Sequence, residues 1–423
     1  MTTFEDSREF AVAMDRNDAL APFREQFNFP RHRDGRSPVY LCGNSLGLQP
    51  RIAVDYVQHE LDNWKDYAVD GHFHSDRPWA TYHRLATDGF AELTGAQPDE
   101  VVAMNTLTVN LHILMASFYR HDATRHKIVI EKGAFPSDQY AAASQSRMHG
   151  FDPDTDLLEW RPRDGELTLR TEDLEALLRR HGDSVALLLL PGVQYYTGQV
   201  LDMQAICELG RKHGCRTGLD LAHAVGNVPL SLSEWAPDFA AWCTYKYLNG
   251  GPGAIAGAYI NRQHQSPDQY LHGWWGNKQS TRFMMRPAFE PETGADAWQM
   301  SNPPILSLAP VVGSLRVFAD AGFDRLRAKS QKLTAYLRWI VASRYGDRIG
   351  TITPEDAHGC QLSLIVKDSS AIANRALFAR LHELNVIGDW REPDVIRVAP
   401  VPLYNSFEDI VEFAERLTLA IAG

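Results

Sequence analysis

Arg216-Thr-Gly-Leu-Asp220-Leu-Ala-His223 and Phe239-Ala-Ala-Trp-Cys-Thr-Tyr245-Lys246-Tyr247, with Asn249-Gly-Gly-Pro-Gly253 just behind, decide the fold. Each begins as a short apolar run and breaks at a charged residue, Asp220 in the first and Lys246 in the second. Runs of this length, bounded by turn residues, read as strands buried on both faces. The alternation continues upstream. Residues 107–119 predict a buried helix, 127–131 a strand, 136–149 a helix stopped by Gly150, 185–190 a fully apolar strand, and 202–213 a helix closed by Gly214. Strand, helix and strand in succession imply an α/β fold, a mostly parallel sheet covered by helices. Such sheets take ligands beyond the carboxyl ends of their strands, which is where Asp220 and Lys246 fall.

The flanks read differently. Residues 1–38 are expected to be an N-terminal arm, and 39–47 a short strand that breaks into a glycine-punctuated turn. Residues 51–64 have helical spacing, with Val54, Val57, Leu61 and Trp64 on one face. Beyond Pro310 a long helix is expected over 311–345, broken near Gly322, then a strand at 361–366, a helix at 371–384, a strand at 395–398 and a helix at 407–420. The expected division is therefore arm 1–38, large domain 39–310 and smaller α+β domain 311–423, bridged by the first helix of the latter.

Composition narrows the partners. The 423 residues are 44% hydrophobic and 22% charged, ordinary for a globular enzyme. A formal net charge of −11 without any basic run speaks against nucleic acid. The start, Met1-Thr-Thr-Phe-Glu-Asp-Ser-Arg8, lacks the basic and apolar parts of a signal peptide, and the run at 185–190 is too short to span a bilayer. The expectation is a soluble, cytoplasmic protein with no membrane partner. Cys42, Cys207, Cys215, Cys243 and Cys360 are scattered without a CxxC pair, and no HExxH occurs, so neither disulfide nor metal is expected.

The chemistry starts from Lys246 and Asp220. A lysine amine can hold an aldehyde cofactor covalently. An aspartate can keep a pyridine nitrogen protonated, so that the ring withdraws electrons from a substrate. Glycines at 250, 251 and 253 let backbone pass close to such a ring. This is the layout of a pyridoxal phosphate site. Asn105-Thr106-Leu107-Thr108 opens a helix with amides and hydroxyls suited to a phosphate, or is an ordinary helix cap. Phe135-Pro136-Ser137-Asp138 offers a ring to stack and an acid beside it, or merely starts a helix. His223 can tune Asp220 or bind a cofactor oxygen, and Tyr245 can reach a phosphate or move a proton. The Trp274–Trp275 pair suits a core, an interface or a ligand. Asn302, held extended before two prolines, suits a fixed hydrogen-bond donor. Arg397, inside the apolar strand at 395–398, requires a carboxylate, from the protein or from an amino-acid substrate.

Taken together, GNSLGLQP at Gly43, MNTLTVNLH at Met104, AFPSDQY at Ala134, VQYYTGQ at Val193, DLAHAVGNV at Asp220, YKYLNGGPG at Tyr245, STRF at Ser280, SNPPIL at Ser301 and IRVAPVPLYNS at Ile396 resemble the kynureninases, fold-type I pyridoxal phosphate enzymes similar to class V aminotransferases. The resemblance spans nearly the whole chain. It implies hydrolysis of the Cβ–Cγ bond of L-kynurenine or 3-hydroxy-L-kynurenine to L-alanine and an anthranilate, in tryptophan catabolism and NAD precursor synthesis. It implies that Lys246 carries the cofactor, that Asp220 pairs with its ring nitrogen, and that Leu107, Thr108, Phe135, Asp138, His223 and Tyr245 contact it. Trp274 and Asn302 would border the site, Arg397 would grip the substrate α-carboxylate, and Tyr245 would serve beside Lys246 in catalysis. His72, Ser301 and Asn302 match members that favour the 3-hydroxylated substrate. The resemblance also implies a homodimer with shared active sites. Pro191 stands where some relatives have a serine, so no hydroxyl contact is expected there. Two rivals stay open: a cysteine desulfurase using Cys360, and a non-catalytic binding protein that kept the fold.

Overall fold

Seven strands build the central sheet: β1 (Val101–Ala103), β2 (Lys127–Glu131), β3 (Leu157–Trp160), β4 (Val185–Pro191), β5 (Arg216–Asp220), β6 (Phe239–Trp242) and β7 (Gly257–Ile260). Their spatial order is β1-β7-β6-β5-β4-β2-β3. Only β7 runs against its neighbours; all other pairs are parallel. The computed structural model describes residues 3–31, 35, 37–264, 271–367 and 371–422; the rest of the expected arm and domains lies outside them.

β4 shows why the sheet is two-sided. Successive side chains along a strand point to opposite faces. Leu188 and Leu190 accordingly enter one apolar core, while Leu187 and Leu189 enter another. Helices Leu107–Phe118 and Pro136–Met148 close the second core with Leu111, Leu114, Ala141 and Ala142. Helices Thr171–His181, Met203–Lys212 and Ile305–Ala321 close the first with Leu174, Ile206 and Leu308.

The helix expected over 311–345 is broken at Gly322 as expected, into Ile305–Ala321 and Phe323–Tyr345, which are bent by 81° where Gly322 has a φ of 77° that suits glycine. The first starts upstream of Pro310, and it packs on helix Arg51–Tyr67, where Gly313 lets Tyr56 and Ala53 come close. The second joins two cores: Leu326 belongs to the large one, and Leu333, Leu337 and Ile340 to that of the C-terminal part. There, Ile349–Thr351, Leu362–Val366, Val395–Val398 and Asp389–Arg391 form an antiparallel four-stranded sheet in that spatial order, covered by helices Ala371–Glu383 and Phe407–Ala422. The N-terminal helix Arg8–Arg16 docks here too, with Phe4 and Phe10 against Tyr336. No single helix among the described residues is long and apolar enough to cross a membrane.

The apolar stripe expected on residues 51–64 points largely outward, with Val57 alone packed against the core. Helix Arg51–Tyr67 packs inward through Ala53, Glu60 and Asn63, whereas Val54, Leu61 and Trp64 are exposed, Trp64 by 61%. Glu60 tolerates burial because Trp79 Nε1 donates to it at 2.8 Å and Asn63 Nδ2 at 3.3 Å.

Candidate active site

The carboxyl ends of β2, β4 and β5 and the turn after β6 converge on one cavity of about 190 Å³. Eight of the residues singled out in the sequence line it: Leu107, Thr108, Phe135, Asp138, Asp220, His223, Tyr245 and Lys246. Glu131, Ser137 and Tyr195 line it as well and were not singled out. For Glu131 the signal was present, since it ends an apolar strand on a charge just as Asp220 does.

Backbone near Lys246 is held by a close approach. The Gly47 amide donates to the Tyr245 carbonyl at 2.8 Å, and a Cβ on Gly47 would collide with the Lys246 carbonyl and the Asn249 side chain. The Lys246 Nζ lies 5.8 Å from the centre of the Phe135 ring, which meets Tyr195 edge to face at 5.2 Å.

Two helix starts stand side by side at the cavity. Thr106 caps helix Leu107–Phe118 without any side-chain hydrogen bond, and Phe135 precedes helix Pro136–Met148 in the same way. The first turn is stapled by Asn105 Nδ2 donating to Asn110 Oδ1 and Asn110 Nδ2 donating to the Met104 carbonyl, each at 2.9 Å. Thr108 and Ser137 hydroxyls, one from each helix, meet at 2.6 Å. Free amides, aligned dipoles and two hydroxyls make an anion cradle.

The opposite side is acidic. The Asp220 carboxylate accepts from the Ala222 amide at 2.7 Å. Burial raises its pKa, opposed by the Lys246 charge, the Ala222 amide and a hydrogen bond with Asp138. Asp138 is held well above the usual carboxylate range by burial and by the charges of Asp220 and Glu131, so the pair shares a proton that sits on Asp138. Glu131 is pushed up to about 8, chiefly by burial. His223 is kept neutral by burial and by the positive charges of Lys246, Arg397 and Arg391. Burial also raises the Tyr245 hydroxyl, which is therefore a phenol.

These residues fit pyridoxal phosphate. Asp138 Oδ1 and His223 Nδ1 are buried with no hydrogen-bond partner among the described residues, an expensive condition that a ring bearing polar groups relieves. An amine, a buried acid and an anion cradle surround the same space.

Other expected site residues lie elsewhere. Arg397 is fully buried and meets a protein carboxylate: its Nη2 donates to Asp389 at 2.5 Å and its Nη1 to the Tyr195 carbonyl at 2.8 Å. His72 bonds the Val69 carbonyl at 3.0 Å through Nδ1. Trp274 is 48% exposed and packs edge-on against Phe283, which also meets Phe73. Ser301 and Asn302 are exposed. None of these five lines the cavity within one chain. Cys360 does not line it either; it is 1% exposed, with its thiol pushed up to about 12 by burial, unlike a nucleophile.

Fold and site together define a class, the two-domain α/β fold of class V aminotransferases with a lysine and a buried acid facing across one cavity. Solved structures agree on the fold. A C-DES mutant with glycine covalently linked to its pyridoxal phosphate superposes with a TM-score of 0.77 at 17% identity, covering 93% of this chain and 98% of that one. The cysteine desulfurase CsdA from Escherichia coli gives 0.74 at 17% identity, covering 95% and 98%. Sequence relatives are much nearer. Kynureninases from Xanthomonas campestris pv. campestris and Myxococcus xanthus are 51% and 49% identical over 420 and 424 residues, 99% of each chain in both cases. The kynureninase C-terminal domain family matches residues 326–417. The chain belongs to the kynureninase family.

Proposed function

We propose that this protein hydrolyses the Cβ–Cγ bond of kynurenine-type amino acids with pyridoxal phosphate as cofactor, releasing L-alanine and an anthranilate. The observation that carries the reading is one cavity lined by Lys246, Asp220 and the paired starts of two helices, in a chain 51% identical to a kynureninase along its length. The distant likeness to a cysteine desulfurase is one of fold, and Cys360 lies buried away from the cavity.

Lys246 would hold the cofactor, Asp220 would pair with its ring nitrogen, and Thr108 with the amides at Leu107 would hold its phosphate. Asp138, carrying the shared proton, supports Asp220, while Phe135 packs beside the ring and His223 serves a ring oxygen. When bound, the cofactor supplies an electron sink for charge developing at Cα and then at Cβ. The Lys246 amine, freed by the substrate amine, takes the α-proton and returns it later. Tyr245, a phenol at neutral pH, supplies a proton as water adds to the γ-carbonyl and the aryl acid leaves. Arg397 binds the α-carboxylate, exchanging part of its hold on Asp389.

The working unit on this reading is a homodimer with shared sites. Val54, Leu61, Trp64, Phe73 and Trp274 are exposed on one chain, apolar side chains that a partner subunit would cover. His72, Trp274, Ser301 and Asn302 would reach the cavity of the partner subunit. The polar set His72, Ser301 and Asn302 favours 3-hydroxy-L-kynurenine, because polar groups recognise a phenolic hydroxyl. We place the enzyme in the cytoplasm, in tryptophan catabolism leading to NAD precursors. The test is purified protein with pyridoxal phosphate and both substrates side by side, following the aryl acid. A higher kcat/KM for the hydroxylated substrate is expected; equal or better use of plain kynurenine removes the preference, and no aryl acid from either removes the activity.

A further inference from the structure

Arg397 does not stand alone with Asp389. Strands Asp389–Arg391 and Val395–Val398 pair antiparallel with Asp389 directly opposite Arg397. Arg391, two residues along, shares a strand face with Asp389, and its Nη2 donates to the same carboxylate oxygen at 3.1 Å, against 2.5 Å for Arg397. One carboxylate therefore serves two guanidinium groups, a formal sum of +1 at a place where Asp389 is 7% exposed and Arg397 not at all. The Nε–H groups of both arginines are buried with no acceptor among the described residues. Arg391 Nη1 donates only to the Trp390 carbonyl at 3.2 Å. Arg391 is itself 33% exposed, so the buried excess falls on Arg397, and that cation with two idle Nε donors beside it suits an anion. The cluster adjoins the cavity, since Arg397 holds the carbonyl of Tyr195 and Tyr195 lines it.

We propose that Asp389 and Arg391 are positioning residues for the substrate α-carboxylate: Arg391 draws on Asp389, so Arg397 presents an incompletely neutralised fork to the incoming carboxylate. This rests on the reading of Arg397 given above. Arg391 does not touch the reacting atoms, and its effect lies in binding the amino-acid end of the substrate. Without Arg391, the substrate must compete with Asp389 for a single guanidinium. Removing the acid as well returns the sum to +1.

The test is steady-state kinetics of the holoenzyme and of four variants, with inhibition by L-alanine and by the aryl acid product. Arg391→Gln is expected to raise KM about tenfold and weaken L-alanine inhibition in step, the scale of one charge-assisted hydrogen bond. Its kcat, its cofactor absorbance and its inhibition by the aryl acid should hold. Arg391→Lys should restore most of the loss, and the double variant Asp389→Asn/Arg391→Gln should recover KM toward the parent. An unchanged KM in Arg391→Gln, or a fall in kcat at constant KM, overturns the proposal. So does a double variant with a higher KM than the single one. Arg397→Gln separates the two layers: if it leaves KM and L-alanine inhibition untouched, the carboxylate reading of Arg397 fails, and this proposal with it. If it raises both while Arg391→Gln does not, only this proposal fails.

Discussion

Lys246 and Asp220 matter as a pair because burial makes each dependent on the other. In a dry site, the Lys246 charge, the Ala222 amide and the hydrogen bond with Asp138 oppose the rise that burial forces on the Asp220 pKa. Lys246→Ala is expected to lose the cofactor absorbance and at least about 10²-fold in turnover, the low end for a positioned proton carrier, measured by spectrum and aryl-acid release. Glu131 gives a pH prediction. Its folded pKa, about 8, lies above its ordinary 4.5, so the folded chain keeps a proton that the unfolded chain releases. The stability this contributes is whole below 4.5 and is lost as pH rises through 8, at most about 1.4 kcal/mol per pH unit. Cofactor-free protein should therefore show a falling Tm over that window, and Glu131→Gln should flatten the fall; an equal slope in both would refute the assignment. At this scale the sequence was informative where a charge ends an apolar run, as at Asp220 and Lys246. It was silent on Ser137, whose role depends on a second helix start brought beside Thr108 by folding.

Among elements, the two helices that begin at Leu107 and Pro136 carry the anion cradle. Thr108→Ala with Ser137→Ala should weaken cofactor binding by about 1–3 kcal/mol while leaving the fold intact, checked by cofactor titration alongside circular dichroism. Elements were legible when buried on both faces: the strand at Lys127–Glu131 matches its expected limits, and that at Val185–Pro191 runs one residue further. The short strands Val101–Ala103, Leu157–Trp160 and Gly257–Ile260 were not, because three or four residues carry no period and long-range pairing alone makes them strands. Helix Arg51–Tyr67 was legible but the direction of its apolar stripe was not, since such a stripe reads the same whether it faces the chain's own core or solvent. Asp389 and Arg391 were invisible beside Arg397 until strand register set Asp389 opposite it, with Arg391 two residues along on the same face.

Over the whole molecule, the cavity gathers Lys246, Asp220 and the two helix starts, whereas His72, Trp274, Ser301 and Asn302 lie outside it, the last three exposed. On the proposed homodimer, these four residues would complete the partner subunit's site. The proposed homodimer has two testable consequences. Trp64→Glu should shift the protein toward monomer in sedimentation and lower activity with it. Mixing Lys246→Ala with Asn302→Ala should give activity toward the hydroxylated substrate above the mean of the two parents, through mixed dimers that carry one intact site; no gain after subunit exchange would place Asn302 in its own chain's site. The most direct measurement of the central claim is borohydride reduction of the holoenzyme followed by peptide mapping. The account predicts a pyridoxyl group on Lys246 and on no other residue; a label on a different lysine, or none on a protein that still turns over substrate, would contradict it.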